Sequence, residues 1–180
     1  MRLLHAALAM TLAIVACSPD SQNAAASAAT AAPAVHPESG LPVIALTVRA
    51  GGATGATGKA HEFRVEVART ESQQARGLMF RTAMGPDEGM LFPMDPPRQA
   101  TFWMRNTVIP LDLLFIGPDH RVLNIAANAV PYSEDRLPSA GLAAAVLELN
   151  GGRAAELGIK PGDKVEWNLP KPLGIGPQQG

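Results

Sequence analysis

A chain of 180 residues has room for one compact domain with extensions, not two full domains. Lys and Arg total 15 against 16 for Asp and Glu, and a formal net charge of −1 removes the electrostatic case for a nucleic-acid partner. Hydrophobic residues at 47% support a core, aromatics at 4% argue against a many-ringed stacking platform, and one cysteine excludes an intramolecular disulfide, a zinc cluster or a CxxC redox pair.

Residues 1–16 have the plan of a secretory signal peptide: Arg2 at the start, an apolar stretch from Leu3 to Ala16, then small residues. The stretch is shorter than the roughly 20 residues a helix needs to cross a bilayer. Ile14-Val15-Ala16-Cys17 resembles the lipobox of bacterial lipoproteins. The resemblance implies cleavage before Cys17, diacylation of its thiol with fatty chains such as palmitate, and export to the periplasmic side of a membrane. Each buried methylene contributes about 0.8 kcal/mol, and two or more chains hold a protein on a membrane where one does not. Ser18 rather than Asp after the cysteine resembles sorting to the outer membrane.

From Cys17 to Pro42 the chain is dominated by Ala, Ser and Pro. It has little to bury, and its prolines forbid one continuous helix, so a disordered tether spanning about 25–30 Å is expected. The body is assigned to residues 43–169, with a loose tail over 170–180. Val43–Arg49 and His61–Ala68 alternate as strands, joined by a glycine-rich loop over 50–59. Thr70-Glu71-Ser72-Gln73 fits a capping box that opens a short helix through Arg76, with Gly77 ending it in the left-handed conformation. Further strands are expected at Gln99–Met104, Leu111–Ile116, Arg121–Ala126, Ala143–Leu149 and Lys164–Leu169. Turns fall at Gly117–His120 and Lys160–Asp163. Asn150 is placed to cap a second helix over Gly151–Leu157, closed by Gly158. Many short strands and two minor helices predict a mainly β domain, a sandwich or barrel.

Several phrases then carry a family resemblance. Arg76-Gly77-Leu78-Met79-Phe80-Arg81, Asp87-Glu88-Gly89-Met90-Leu91-Phe92 and Thr101-Phe102-Trp103-Met104-Arg105-Asn106-Thr107, followed by Pro110-Leu111-Asp112, are similar to the domain of unknown function 192 family. Ala129–Ser133, Glu148-Leu149-Asn150-Gly151 and Leu157–Asp163 continue the match, which covers about residues 60–168. The resemblance implies a single compact, jelly-roll-like β domain, often exported, and assigns no activity. Arg105 stands where lysine is commoner in the family, which keeps the charge.

The candidate site rests on polar residues where the pattern asks for apolar ones. In a strand, Asp112 shares a face with Leu114 and Ile116, and Glu148 with Ala144 and Val146. A carboxylate facing a core costs several kcal/mol unless a cation or donor meets it. Arg76, Arg81, Arg105 and the Asn106 amide are available partners, so the two acids belong either to a buried ion-pair lattice or to a ligand site. Trp103 beside Arg105 suits a planar or anionic ligand, or else anchors the core. Met79, Met84, Met90, Met94 and Met104 are soft donors that could suit Cu(I), but they lack relay spacing and also serve as core filler. Ser133, His120 and Asp112 supply the residue types of a triad without a nucleophile elbow. The histidines show no metal-binding pattern, and no cofactor is implied.

The reading is a lipid-anchored binding or interaction module rather than an enzyme. Its site is formed by Trp103, Arg105, Asn106, Asp112, Glu148 and Arg81, for a small ligand or envelope component. The alternatives are a hydrolase of a cell-envelope polymer with Asp112 and Glu148 as acid and base, and methionine-based Cu(I) binding.

Overall fold

Alternating side chains along seven strands generate two apolar surfaces on one sheet in the computed structural model. The chain divides into two units, Met1–Ala32 and Pro33–Gly180. The structure describes residues 34–51 and 58–169, all within the second. The expected signal peptide, Cys17, the tether as far as residue 33, the tip of the glycine-rich loop and the tail from 170 lie outside the described residues.

In chain order the elements are β1 (Val43–Ala50), β2 (Lys59–Val67), α1 (Glu71–Arg76), β3 (Glu88–Phe102), β4 (Leu111–Ile116), β5 (Val122–Ala129), β6 (Leu137–Asn150), α2 (Arg153–Leu157) and β7 (Lys164–Trp167). They form a sheet in the order β5-β4-β6-β3-β2-β1-β7, antiparallel except where β2 meets β3. The sheet curls until its two edge strands meet. Arg121 and Lys164 form a bridge, Val122 N–H donates to the Asp163 carbonyl at 2.9 Å, and Val165 N–H donates to the His120 carbonyl at 2.8 Å. The domain is therefore mainly β, a half-barrel with two short helices.

All seven strands contribute to the inner cluster, among them Leu46, Phe63, Leu91, Leu114, Val122, Leu147 and Val165, with Ala154 and Leu157 of α2 covering it. The opposite face carries a second cluster built on Met90, Phe92, Leu113, Phe115 and Val146, which Leu78, Met104 and Ile109 of the intervening loops close. This second face holds the cavity described below.

Local chemistry explains the caps. The Thr70 hydroxyl accepts the Gln73 N–H at 3.2 Å, and the Gln73 side chain accepts the Thr70 N–H at 2.9 Å, completing the expected capping box. Gly77 follows α1 with φ 47° and ψ −136°, a glycine conformation outside the left-handed helical well that was expected. Asn150 does not cap α2. Its amide instead donates to the Met84 and Gly85 carbonyls, and Gly152 occupies the N-cap without a side-chain bond.

Several boundaries differ from the sequence reading: β6 begins at Leu137 rather than Ala143, β5 runs on to Ala129, and β7 stops at Trp167. Strand β3 begins at Glu88 rather than Gln99, its register to β6 interrupted between Pro93 and Arg98 where prolines remove ladder donors. The chain is already joined to the body before residue 43. Val35 bridges Pro42, Leu41 is buried, and Glu38 and Ser39 reach Arg81 and Glu66.

Candidate functional site

Glu148 sits on β6 with Met90 of β3 and Leu113 of β4 directly opposite it, so its side chain enters the second apolar face. It is 5% exposed, and Oε2 has no hydrogen-bond partner among the described residues. Burial alone pushes its carboxyl up to about 8, so the group is protonated at neutral pH. A buried polar oxygen without a partner costs on the order of 1–3 kcal/mol, and the residue that carries it borders open space.

That space is a cavity of about 440 Å³ between α1, β3 and the 103–107 loop. Leu78, Phe92, Met94 and Phe102 give it an apolar lining, with the Phe92 and Phe102 rings edge-on at 5.1 Å. Glu148 lies at the buried end. Arg76, Arg98, Trp103 and Arg105 are exposed and form the mouth. The Arg105 guanidinium stands 5.8 Å from the Trp103 ring centroid and 3.7 Å from the Glu134 carboxylate, with both charged groups open to solvent. Arg98 donates to the Gln74 side chain at 3.3 Å, and Arg76 lies 5.9 Å from the Phe80 ring centroid. The cavity thus has cationic, π-faced outer walls and a neutral acid inside.

Three loops meet at this mouth through backbone hydrogen bonds. Phe80 N–H donates to the Asn106 carbonyl at 2.8 Å, Met104 N–H to the Ser133 carbonyl at 2.8 Å, and Tyr132 N–H to the Thr107 carbonyl at 3.1 Å. Phe80, Asn106 and Tyr132 all have positive φ, of 64°, 57° and 62°. Phe80 and Tyr132 nonetheless expose most of their rings. Bulky side chains seldom occupy that region, and it costs about 1–3 kcal/mol where they do.

Of the six candidate residues, Trp103, Arg105 and Glu148 line the cavity. Asn106 is adjacent, fixing the loop through its carbonyl while its amide approaches the Met79 sulfur at 3.8 Å. Arg81 lies elsewhere. It is a buried ion-pair partner of Glu66 at 2.9 Å and meets Glu38 at 2.9 Å, while the Ser39 hydroxyl also donates to Glu66.

Asp112 is on the other face of the sheet. Its partner across β6 is Leu149, whereas Glu148 pairs with Leu113, so the two acids point to opposite sides. The proposed acid–base pair therefore does not form. Asp112 is fully buried and finds backbone donors instead of a cation: the N–H groups of Asn128 at 2.8 Å, Gly152 at 3.0 Å and Ala154 at 2.8 Å. The last two open α2, so this carboxylate caps the helix from a neighbouring strand.

No triad forms either. The Ser133 hydroxyl donates to Asp135 at 3.1 Å and His120 stacks on Trp167 at 4.2 Å, while Asp112 is occupied as just described. Met90, Met94 and Met104 are buried in the second apolar cluster, with Met84 packed against it. Gln74, Arg76 and Arg98 also line the cavity; Gln74 and Arg98 were not among the candidates, and Arg76 was named only as a partner for the buried acids. The clue to Arg98 was its place after Pro96-Pro97, where a strand is interrupted and a cation can be turned outward.

The curled sheet and its outer-face cavity define a class of mainly β domain. The chain belongs to the DUF192 family, described as an uncharacterised ACR, whose model matches residues 53–167. A protein of unknown function from Novosphingobium aromaticivorans DSM 12444 is similar at 64% identity and a TM-score of 0.70, over 76% of this chain and 94% of that one. A protein from Sinorhizobium meliloti 1021, described provisionally as a transcription regulator, is 40% identical with a TM-score of 0.66, over 71% and 95% of the two chains. No curated protein matches the chain. Among the described residues no helix is long and apolar enough to cross a membrane, and no cluster of three His, Cys, Asp or Glu side chains could hold a metal ion.

Proposed function

We propose that the protein is an exported, lipid-anchored binding module whose outer-face cavity takes a small molecule with an apolar body and an anionic end. The observation that carries the reading is Glu148, a buried carboxyl with an unpartnered oxygen lining a cavity of about 440 Å³. A fold stabilised by only about 5–15 kcal/mol gains nothing structural from such a group. Arginines 76, 98 and 105 at the mouth supply bidentate donors for a carboxylate or phosphate, and Trp103 supplies a face for stacking. Cys17, acylated as the lipobox resemblance implies, would fix the module to the membrane.

The test is a titration of the full chain with straight-chain alkanoates, from butanoate to octanoate, followed by calorimetry. Saturable binding is expected. The double replacement Arg76→Gln with Arg98→Gln should weaken it by about tenfold, the range expected for losing exposed charge-assisted contacts. Absence of saturable binding across the series, or affinity indifferent to the arginines and to Trp103→Ala, would overturn the reading.

A further inference from the structure

We propose that the ligand is a zwitterion, its protonated amine seated against Glu148 and its carboxylate or phosphate held by the arginines of the mouth, and that binding transfers the Glu148 proton to solvent. The inference rests on the reading of the cavity as a binding site and names the chemistry of its inner end. Glu148 lines the cavity, and among the described residues its Oε2 has no hydrogen-bond partner. The charged groups sharing the space are Arg76 from α1, Arg98 from β3 and Arg105 from the following loop, and all three are exposed. From the flanking strands only Met90 and Leu113 face it directly. Glu66, further along the same face opposite Met90, is bound to Arg81.

The protonation of Glu148 is set by burial, without an arginine charge among its causes. The inner end thus holds a neutral carboxyl without a hydrogen-bond partner on Oε2 among the described residues, an acid that an entering ammonium group would pair with once its proton is lost. The Phe92 and Phe102 rings and the Met94 thioether line the cavity beside it. Aromatic faces of this kind suit a desolvated ammonium group. A bare cation would meet three arginines on entry, whereas a molecule that also carries an anionic end is drawn in by them. The step balances simply. The glutamic acid loses its proton to buffer, the ligand amine keeps its own, and an ammonium–carboxylate pair replaces the neutral carboxyl.

The experiment compares ω-amino acids, from 4-aminobutanoate to 8-aminooctanoate, with the matching alkanoates on the full chain. Calorimetry near about pH 6.5 in two buffers of different ionisation enthalpy counts protons. The best amino acid should bind at least tenfold more tightly than its alkanoate and release close to one proton, while the alkanoate releases none. In Glu148→Gln the amine advantage and the proton release should both vanish. Alkanoate binding without an amine advantage, or amine binding without proton release, overturns the inference and leaves the cavity a binding site. Failure of the alkanoates to bind saturably overturns the reading beneath the inference, and the inference with it.

Discussion

Because the folded protein holds the Glu148 carboxyl protonated up to about pH 8, while an unfolded glutamate ionises near 4.5, the native state binds one more proton than the denatured chain across that interval. Stability linked to this group is therefore greatest below about pH 4.5, falls as pH rises to about 8, and levels off above it. Glu148→Gln removes the penalty while keeping shape and a hydrogen-bonding head. Urea denaturation should show the variant equal to the parent at about pH 4.5 and more stable at about pH 8, by on the order of a few kcal/mol. An equal gain at both values would mean that packing, not ionisation, separates the two proteins. The position of Glu148 was legible from the parity of its strand alone. What met Asp112 was not. A carboxylate facing a core calls for a partner, yet backbone amides of a turn some forty residues later leave no mark on side-chain chemistry.

At the scale of elements, alternation located β1 and β2 because each buries one apolar set on a predictable face, whereas β4 is buried on both faces and reads as a short apolar run. Alternation missed the first part of β3, where Pro93, Pro96 and Pro97 break the pattern although neighbouring strands still supply partners. Composition likewise placed residues 34–42 in the tether, since Ala, Ser and Pro have little to bury. The segment is attached through polar contacts that composition does not register: Arg81 with Glu38 and Glu66, and Ser39 with Glu66. Arg81→Ala strands the Glu66 carboxylate, which is 3% exposed, and should cost about 3–5 kcal/mol in denaturation. It should also free residues 34–42, read as hydrogen exchange at Val43 N–H, which donates to the Ala34 carbonyl. Unchanged exchange there would show that the bridge to Pro42 holds the segment unaided. Gly89 sets a further limit on β3, since a Cβ added there would lie 2.5 Å from the Glu148 carbonyl oxygen and a side chain there would force the two strands apart.

The whole molecule joins this domain to an N-terminal address that the lipobox resemblance reads as a fatty anchor. Metabolic labelling with a palmitate analogue should mark the parent chain and leave Cys17→Ala unmarked, with the variant shed from membranes. Equal labelling would remove the anchor from the proposal while leaving the cavity chemistry untouched. The fold class was legible because strand count and turn spacing constrain architecture, whereas the cavity was not, because it depends on how three distant loops converge. The meeting of the first and last strands of the sheet has a consequence for life at high local density. Strand β7 has only four residues and is engaged on both sides, while β5 carries register shifts and the Asn124 side chain bonded to Pro138 and Ala140. Neither border offers a long straight ladder of free amides, so crowded neighbours find no template on which to add themselves strand by strand.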